Sequence, residues 1–268
     1  MDNRPIGVFD SGVGGLTVLY ELMELLPYEN YVYFGDTARV PYGSKNGEII
    51  LKYSREAADF LLTKDIKMLV IACNTATAYA LKELQEELDI PVIGVIEYGA
   101  KACIKETKSK RVGIIGTEGT IKSRQYEKEL RKLDEDLLIV TNACPLFVPL
   151  VEEGMQDTEV AYLVAKKYLL GIMSKNIDSL ILGCTHYPVL RYTIGKVVGD
   201  KVKLINPAFE TAQAIKDILI KEDILNKELK FGKCEYFCSD DPQRFHTVGS
   251  KIVPNKILEV KKVNISTI

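Results

Sequence analysis

Short β-branched runs ending at Gly, Asp or Cys recur along this chain, and each is followed by a segment whose apolar residues fall at helical spacing. Such alternation predicts an α/β architecture built on parallel sheets. The first run, Ile6-Gly-Val-Phe-Asp10, passes through Ser11-Gly-Val-Gly-Gly15 into a predicted helix with Leu16, Leu19, Tyr20 and Met23 on one face, stopped by Pro27. Further strands are predicted at 31–35, 67–73, 91–95, 111–116, 137–141, 178–184 and 202–205, with helices near 47–63, 76–88, 120–133, 159–172 and 209–221. The tail from Asn226, with 234–238 and 257–263, reads as late strands on a sheet edge.

Two segments of the chain echo each other. Ile6-Gly-Val-Phe-Asp-Ser-Gly12 is matched by Val112-Gly-Ile-Ile-Gly-Thr-Glu118, and Met68-Leu-Val-Ile-Ala-Cys73 by Leu180-Ile-Leu-Gly-Cys184, at nearly equal displacement. An internal pseudo-duplication follows: two pseudo-symmetric domains, each a mainly parallel sheet flanked by helices. No low-complexity linker marks the boundary, so the division is drawn at 1–97 plus 208–268 for the first domain and 98–207 for the second, with the last long helix returning to the first. Ligands of open α/β sheets collect beyond the carboxyl ends of the strands, which is where the loops after these runs and two of the cysteines, Cys73 and Cys184, would lie.

The 268 residues, 47% hydrophobic and 27% charged, have the balance of a soluble globular protein. A net charge of −2 supplies no general attraction to nucleic acid or to an anionic membrane. No run approaches the roughly 20 apolar residues of a membrane helix, and the start Met-Asp-Asn-Arg-Pro lacks a signal-peptide core, so a cytoplasmic location is expected. The 6 cysteines form no Cys-x-x-Cys pair, which fits reduced thiols better than disulfides or a zinc ribbon.

Cys73 and Cys184 end matching apolar runs and are followed by short polar groups, Asn74-Thr75 and Thr185-His186. A lone cysteine in that position is usually a small buried apolar residue. The repeated context favours chemistry instead. A thiolate can take a proton from carbon and a thiol can return one, so two facing thiols would invert a stereocentre. A helix beginning at each cysteine would lower its pKa and aim N–H donors at a carboxylate. Cys103, Cys144, Cys234 and Cys238 lack such company and read as structural.

Asp10-Ser-Gly-Val-Gly-Gly15 is not a dinucleotide loop, because Thr17 stands where a third glycine is required. It remains a loop able to hold a small anion, with Ser11 as donor and Asp10 either assisting a thiol or capping a helix. In Gly35-Asp-Thr-Ala-Arg-Val-Pro-Tyr-Gly43, Pro41 sets a turn while Tyr42 and Gly43 offer a ring wall and close backbone approach. His186 suits a proton-assisting neighbour of Cys184; a metal site is not expected, since no further ligands stand at recognisable spacing. His246 reads as surface or packing, and Glu152-Glu153 as carboxylates on a loop.

These residues, with Phe34-Gly-Asp-Thr-Ala-Arg-Val-Pro-Tyr-Gly43, Ala72-Cys-Asn-Thr-Ala76, Cys144-Pro-Leu-Phe-Val-Pro-Leu-Val-Glu-Glu-Gly154 and Gly183-Cys-Thr-His-Tyr-Pro188 in that order, closely resemble the glutamate racemases of bacteria. The resemblance implies a cofactor-independent racemase of two pseudo-symmetric α/β domains, with the active site in the cleft between them, that supplies D-glutamate for peptidoglycan. It implies that Cys184 takes the proton from L-glutamate and Cys73 the one from D-glutamate. Asp10 would support Cys73, and His186 with Glu152 would support Cys184. Ser11, Tyr42, Gly43, Asn74, Thr75, Thr120, Thr185, Asp10 and His186 would hold the substrate, with Asp36 a weaker candidate. Family members are commonly homodimers, and some bind DNA gyrase. An aspartate racemase is the nearest rival, though it usually carries Glu where this chain has His186; a non-catalytic amino-acid-binding protein is the rival from another class. Asn206-Pro207 departs from the family pattern and puts the start of the following helix in question.

Overall fold

A computed structural model describes residues 2–228, 230–253 and 259–265. Among the described residues ten strands form two sheets, and every pairing between them is parallel. The strands are β1 (Ile6–Asp10), β2 (Tyr31–Gly35), β3 (Met68–Ile71), β4 (Val92–Gly94), β5 (Arg111–Gly116), β6 (Leu138–Ala143), β7 (Ser179–Gly183), β8 (Lys203–Ile205), β9 (Cys234–Cys238) and β10 (Val260–Lys262). The first sheet runs β10-β9-β2-β1-β3-β4 and the second β6-β5-β7-β8. Strands β2-β1-β3-β4 therefore correspond in order to β6-β5-β7-β8, with β1 and β5 central. This is the structural form of the sequence echo, because the runs that repeat are β1 with β5 and β3 with β7.

The helices are α1 (Leu16–Leu25), α2 (Gly47–Leu62), α3 (Asn74–Glu87), α4 (Ile96–Glu106), α5 (Glu118–Ser123), α6 (Gln125–Leu133), α7 (Phe147–Glu152), α8 (Glu159–Met173), α9 (Arg191–Val198), α10 (Pro207–Lys221) and α11 (Pro242–Ile252). Side chains alternate across each strand, so both sheets bury apolar residues on two faces. Ile6 and Val8 of β1 pack with α1 and with Ala212 and Ile215 of α10, while Phe9 faces Ala57 and Leu61 of α2. In the second sheet Val112 and Ile114 meet Ala100 and Cys103 of α4, whereas Ile115 meets Leu169 and Ile172 of α8. Helix α10 packs against the first sheet through Ala208, Ala212, Ile215 and Leu219.

Several elements differ from expectation. The helix expected over 120–133 is two, α5 and α6, broken at Arg124 where φ is 55°. Helices α4, α7, α9 and α11 were not anticipated. Glu152 ends α7 rather than lying on a loop, and Glu153 caps that helix. The tail holds α11 between two strands, and β9 is interior, so only β10 lies at the edge; residues 257 and 258 of the expected last strand lie outside the described residues. The start of α10 is sound: Asn206 accepts from the Ala208 N–H at 3.2 Å, and Pro207 occupies the first turn, where its missing N–H costs nothing.

Candidate active site

The carboxyl ends of β1, β3 and β7 converge on one cavity of about 380 Å3 lined by both halves. Ser11, Tyr42, Gly43, Cys73, Asn74 and Thr75 line it from the first half, and Thr117, Glu152, Cys184, Thr185 and His186 from the second. Both focal cysteines therefore face one space. None of the other four cysteines lines it. Among the described residues no cluster of His, Cys, Asp and Glu is placed to hold a metal ion, and no described helix is long and apolar enough to cross a membrane.

Cys73 is the N-cap of α3, its sulfur accepting from the Ala76 N–H at 3.5 Å while its S–H reaches Ser11 Oγ at 3.6 Å. The expected lowering of its pKa is overturned. Burial and the nearby Asp10 carboxylate outweigh the helix N-terminus and push the thiol up to about 12. Asp10 is completely buried, accepts from the Gly12 N–H at 2.9 Å and receives the Thr185 hydroxyl at 3.4 Å. Burial raises its pKa, opposed by His186 and the loop N–H groups. Asp10 is set behind the residues that line the cavity, and its carboxylate is one of the groups that raise the Cys73 pKa.

Cys184 stands in a different setting. Its sulfur is 3.9 Å from His186 Nδ1, and His186 Nε2 lies 3.1 Å from Glu152 Oε1. A turn of 3-10 helix, Tyr187–Leu190, follows in place of the α-helix expected there. Burial pulls the imidazole pKa down, but hydrogen bonds to Cys184 and Glu152 together outweigh it and raise the value to about 10. Burial likewise raises the Glu152 pKa, and His186 and Arg244 reverse that to a net lowering. The Cys184–His186–Glu152 row therefore favours a charged imidazolium between two acidic groups.

Contacts across the cleft set these parts against each other. Thr75, Thr117 and Thr120 bond mutually through their hydroxyls at 2.8 to 3.1 Å. Thr120, expected at the substrate, is buried in this triad, while Thr75 and Thr117 both line the cavity. Tyr126 of α6 donates to Asn74 Oδ1 at 2.6 Å, and Thr17 donates to the Thr185 carbonyl at 3.1 Å. Asp36 lies behind the wall: it accepts from Tyr42 at 2.6 Å, Arg39 at 2.7 Å and Ser239 at 2.8 Å, and so holds the Tyr42–Gly43 turn in place. Gly14 and Gly43 are close-approach positions, since a Cβ would lie 2.3 Å from Thr185 Oγ1 at the former and 2.5 Å from Thr117 Cβ at the latter.

Residues 25–215 match the Asp/Glu/hydantoin racemase family. The chain belongs to that family. A glutamate racemase of Geobacter metallireducens is 51% identical over 98% of this chain and 97% of its own. The crystal structure of glutamate racemase isoform RacE1 from Bacillus anthracis superposes with a TM-score of 0.95 at 42% identity, covering 98% of both chains. That of the Francisella tularensis glutamate racemase in complex with D-glutamate gives 0.93 at 39% identity, covering 100% of both.

Beyond the residues singled out in the sequence, the racemase fold brings Thr117, Glu118, Pro145, Val148, Pro149 and Arg244 to the cavity, together with Glu153. Thr117 is recoverable from the echo, since it occupies the position equivalent to Ser11. Arg244 lies on α11, whose start is marked by Asp241-Pro242, a cap followed by proline at the first turn.

Proposed function

We propose that the two sulfurs work on opposite faces of the glutamate α-carbon. The protein interconverts L- and D-glutamate. Supply of D-glutamate for peptidoglycan belongs to the same proposal, as does the division into domains 1–97 plus 208–268 and 98–207. The observation that carries the proposal is that Cys73 and Cys184 arrive from two pseudo-equivalent strand ends to line one cavity.

The α-proton of an amino acid is weakly acidic, so the chain's own groups must stabilise charge as it leaves. Backbone and side-chain donors at Ser11, Asn74, Thr75 and Thr185 are set to hold the carboxylates. For L-glutamate, Cys184 takes the proton as thiolate beside the His186 imidazolium, and Cys73, held protonated by burial and Asp10, delivers one from the other face. For D-glutamate the roles reverse. That direction begins with Cys73 as thiolate, and the substrate ammonium supplies the positive charge that favours it. Glu152 positions His186. His186 in place of a second carboxylate beside Cys184 favours glutamate over aspartate, and comparing turnover of the two amino acids separates these substrates.

Replacing Cys73 or Cys184 by Ala tests the assignment. Each variant is expected to fold with an unchanged circular-dichroism spectrum and to lose racemisation; full activity in either one refutes the two-thiol mechanism.

A further inference from the structure

Arg244 and Glu153 face each other at the rim of the cavity from opposite halves. Arg244 is on α11, whose Phe245 and Val248 are anchored in the core of the first sheet. Glu153 caps α7, which packs on the second sheet through Phe147, Leu150 and Val151. The guanidinium Nη2 lies 3.7 Å from Glu153 Oε1, both side chains are about two-thirds exposed (65% and 66%), and both residues line the cavity. Lys251, two turns further along α11, lies beside Gly154, where a Cβ would meet its Nζ at 3.1 Å. One basic face of α11 thus meets the acidic carboxyl end of α7, an end where the helix dipole also favours cations.

The pair adjoins the catalytic row. Glu153 follows Glu152, which bonds His186, which stands beside Cys184. Arg244 and Glu152 also line a neighbouring hollow of about 220 Å3, so together they form the wall between it and the main cavity.

We propose that Arg244 and Glu153 are positioning residues that form a latch between the halves, closing the rim over bound glutamate and parting to admit and release it. An exposed ion pair of this length is weak and readily broken. That suits a contact made and lost in every turnover, whereas the buried threonine triad persists. Closure excludes water from the reacting carbon and sets Glu152 against His186.

The inference rests on the cavity being the glutamate site, which fails separately if Cys73→Ala or Cys184→Ala keeps turnover. The test is kcat and KM for both enantiomers in Arg244→Gln, Glu153→Gln, the double variant, and the swapped pair Arg244→Glu with Glu153→Arg. Each single variant is expected to raise KM about two- to fivefold, the scale of an exposed ion pair. The double variant should be no worse than either single one, and the swap should recover most of the loss. A rise in KM for Arg244→Gln with a fall for Glu153→Gln would overturn the latch, because Arg244 would then act as a free cation toward the substrate. Additive effects, or none, would overturn it as well.

Discussion

At the residue scale the two cysteines are chemically unequal. Cys73 has a helix N-terminus and a serine but is held protonated by burial and by Asp10; Cys184 has an imidazole bonded to a carboxylate. The sequence echo made them look equivalent, because it records strand ends and not the charges that the fold gathers around them. His186 carries a testable consequence. Its folded-state pKa is raised from 6.5 to about 10, so the stabilisation it brings is complete below about 6.5 and lost as pH rises through about 10. Thermal midpoints between pH 6 and pH 10 should therefore fall more steeply for the native protein than for His186→Asn. Parallel curves would contradict the imidazolium assignment.

At the element scale, the cleft depends on loops that touch. The β1–α1 loop lies so close to the Thr185-His186 segment that Gly14 has no room for a methyl group. Gly14→Ala is expected to cost about 1–3 kcal/mol through overpacking, read by urea unfolding, and to lower kcat by displacing His186. A variant of native stability and native kcat would show that the loop yields freely. Strands β1, β2, β3, β5 and β7 were legible in the sequence because they are buried on both faces and read as apolar runs, and strand ends led directly to Cys73 and Cys184. The missed helices have local reasons. Helices α4, α7 and α9 have no side-chain cap, and α7 contains Pro149. The break at Arg124 needs a left-handed residue that carries no glycine or asparagine signal. Thr117 was passed over because the echo marks a strand end and does not show which hydroxyl beside it lines the cavity.

At the scale of the whole molecule, two sheets with one strand order present the carboxyl ends of their central strands to a shared cavity. A single half offers one sulfur and one face of a carbon; racemisation through two bases requires both. Approximate symmetry has a kinetic meaning too. The equilibrium constant between enantiomers is one, so kcat/KM must be equal in the two directions, while kcat and KM separately need not be, given the different surroundings of the sulfurs. The most direct measurement is early turnover of L-glutamate in deuterium oxide, with the α-carbon label followed in both enantiomers. Two thiols on opposite faces place solvent deuterium in the D-glutamate formed and leave the remaining L-glutamate unlabelled. Transfer of the original protium into D-glutamate, or early labelling of the L-glutamate pool at the same rate, would show one group serving both faces and would contradict the two-thiol mechanism.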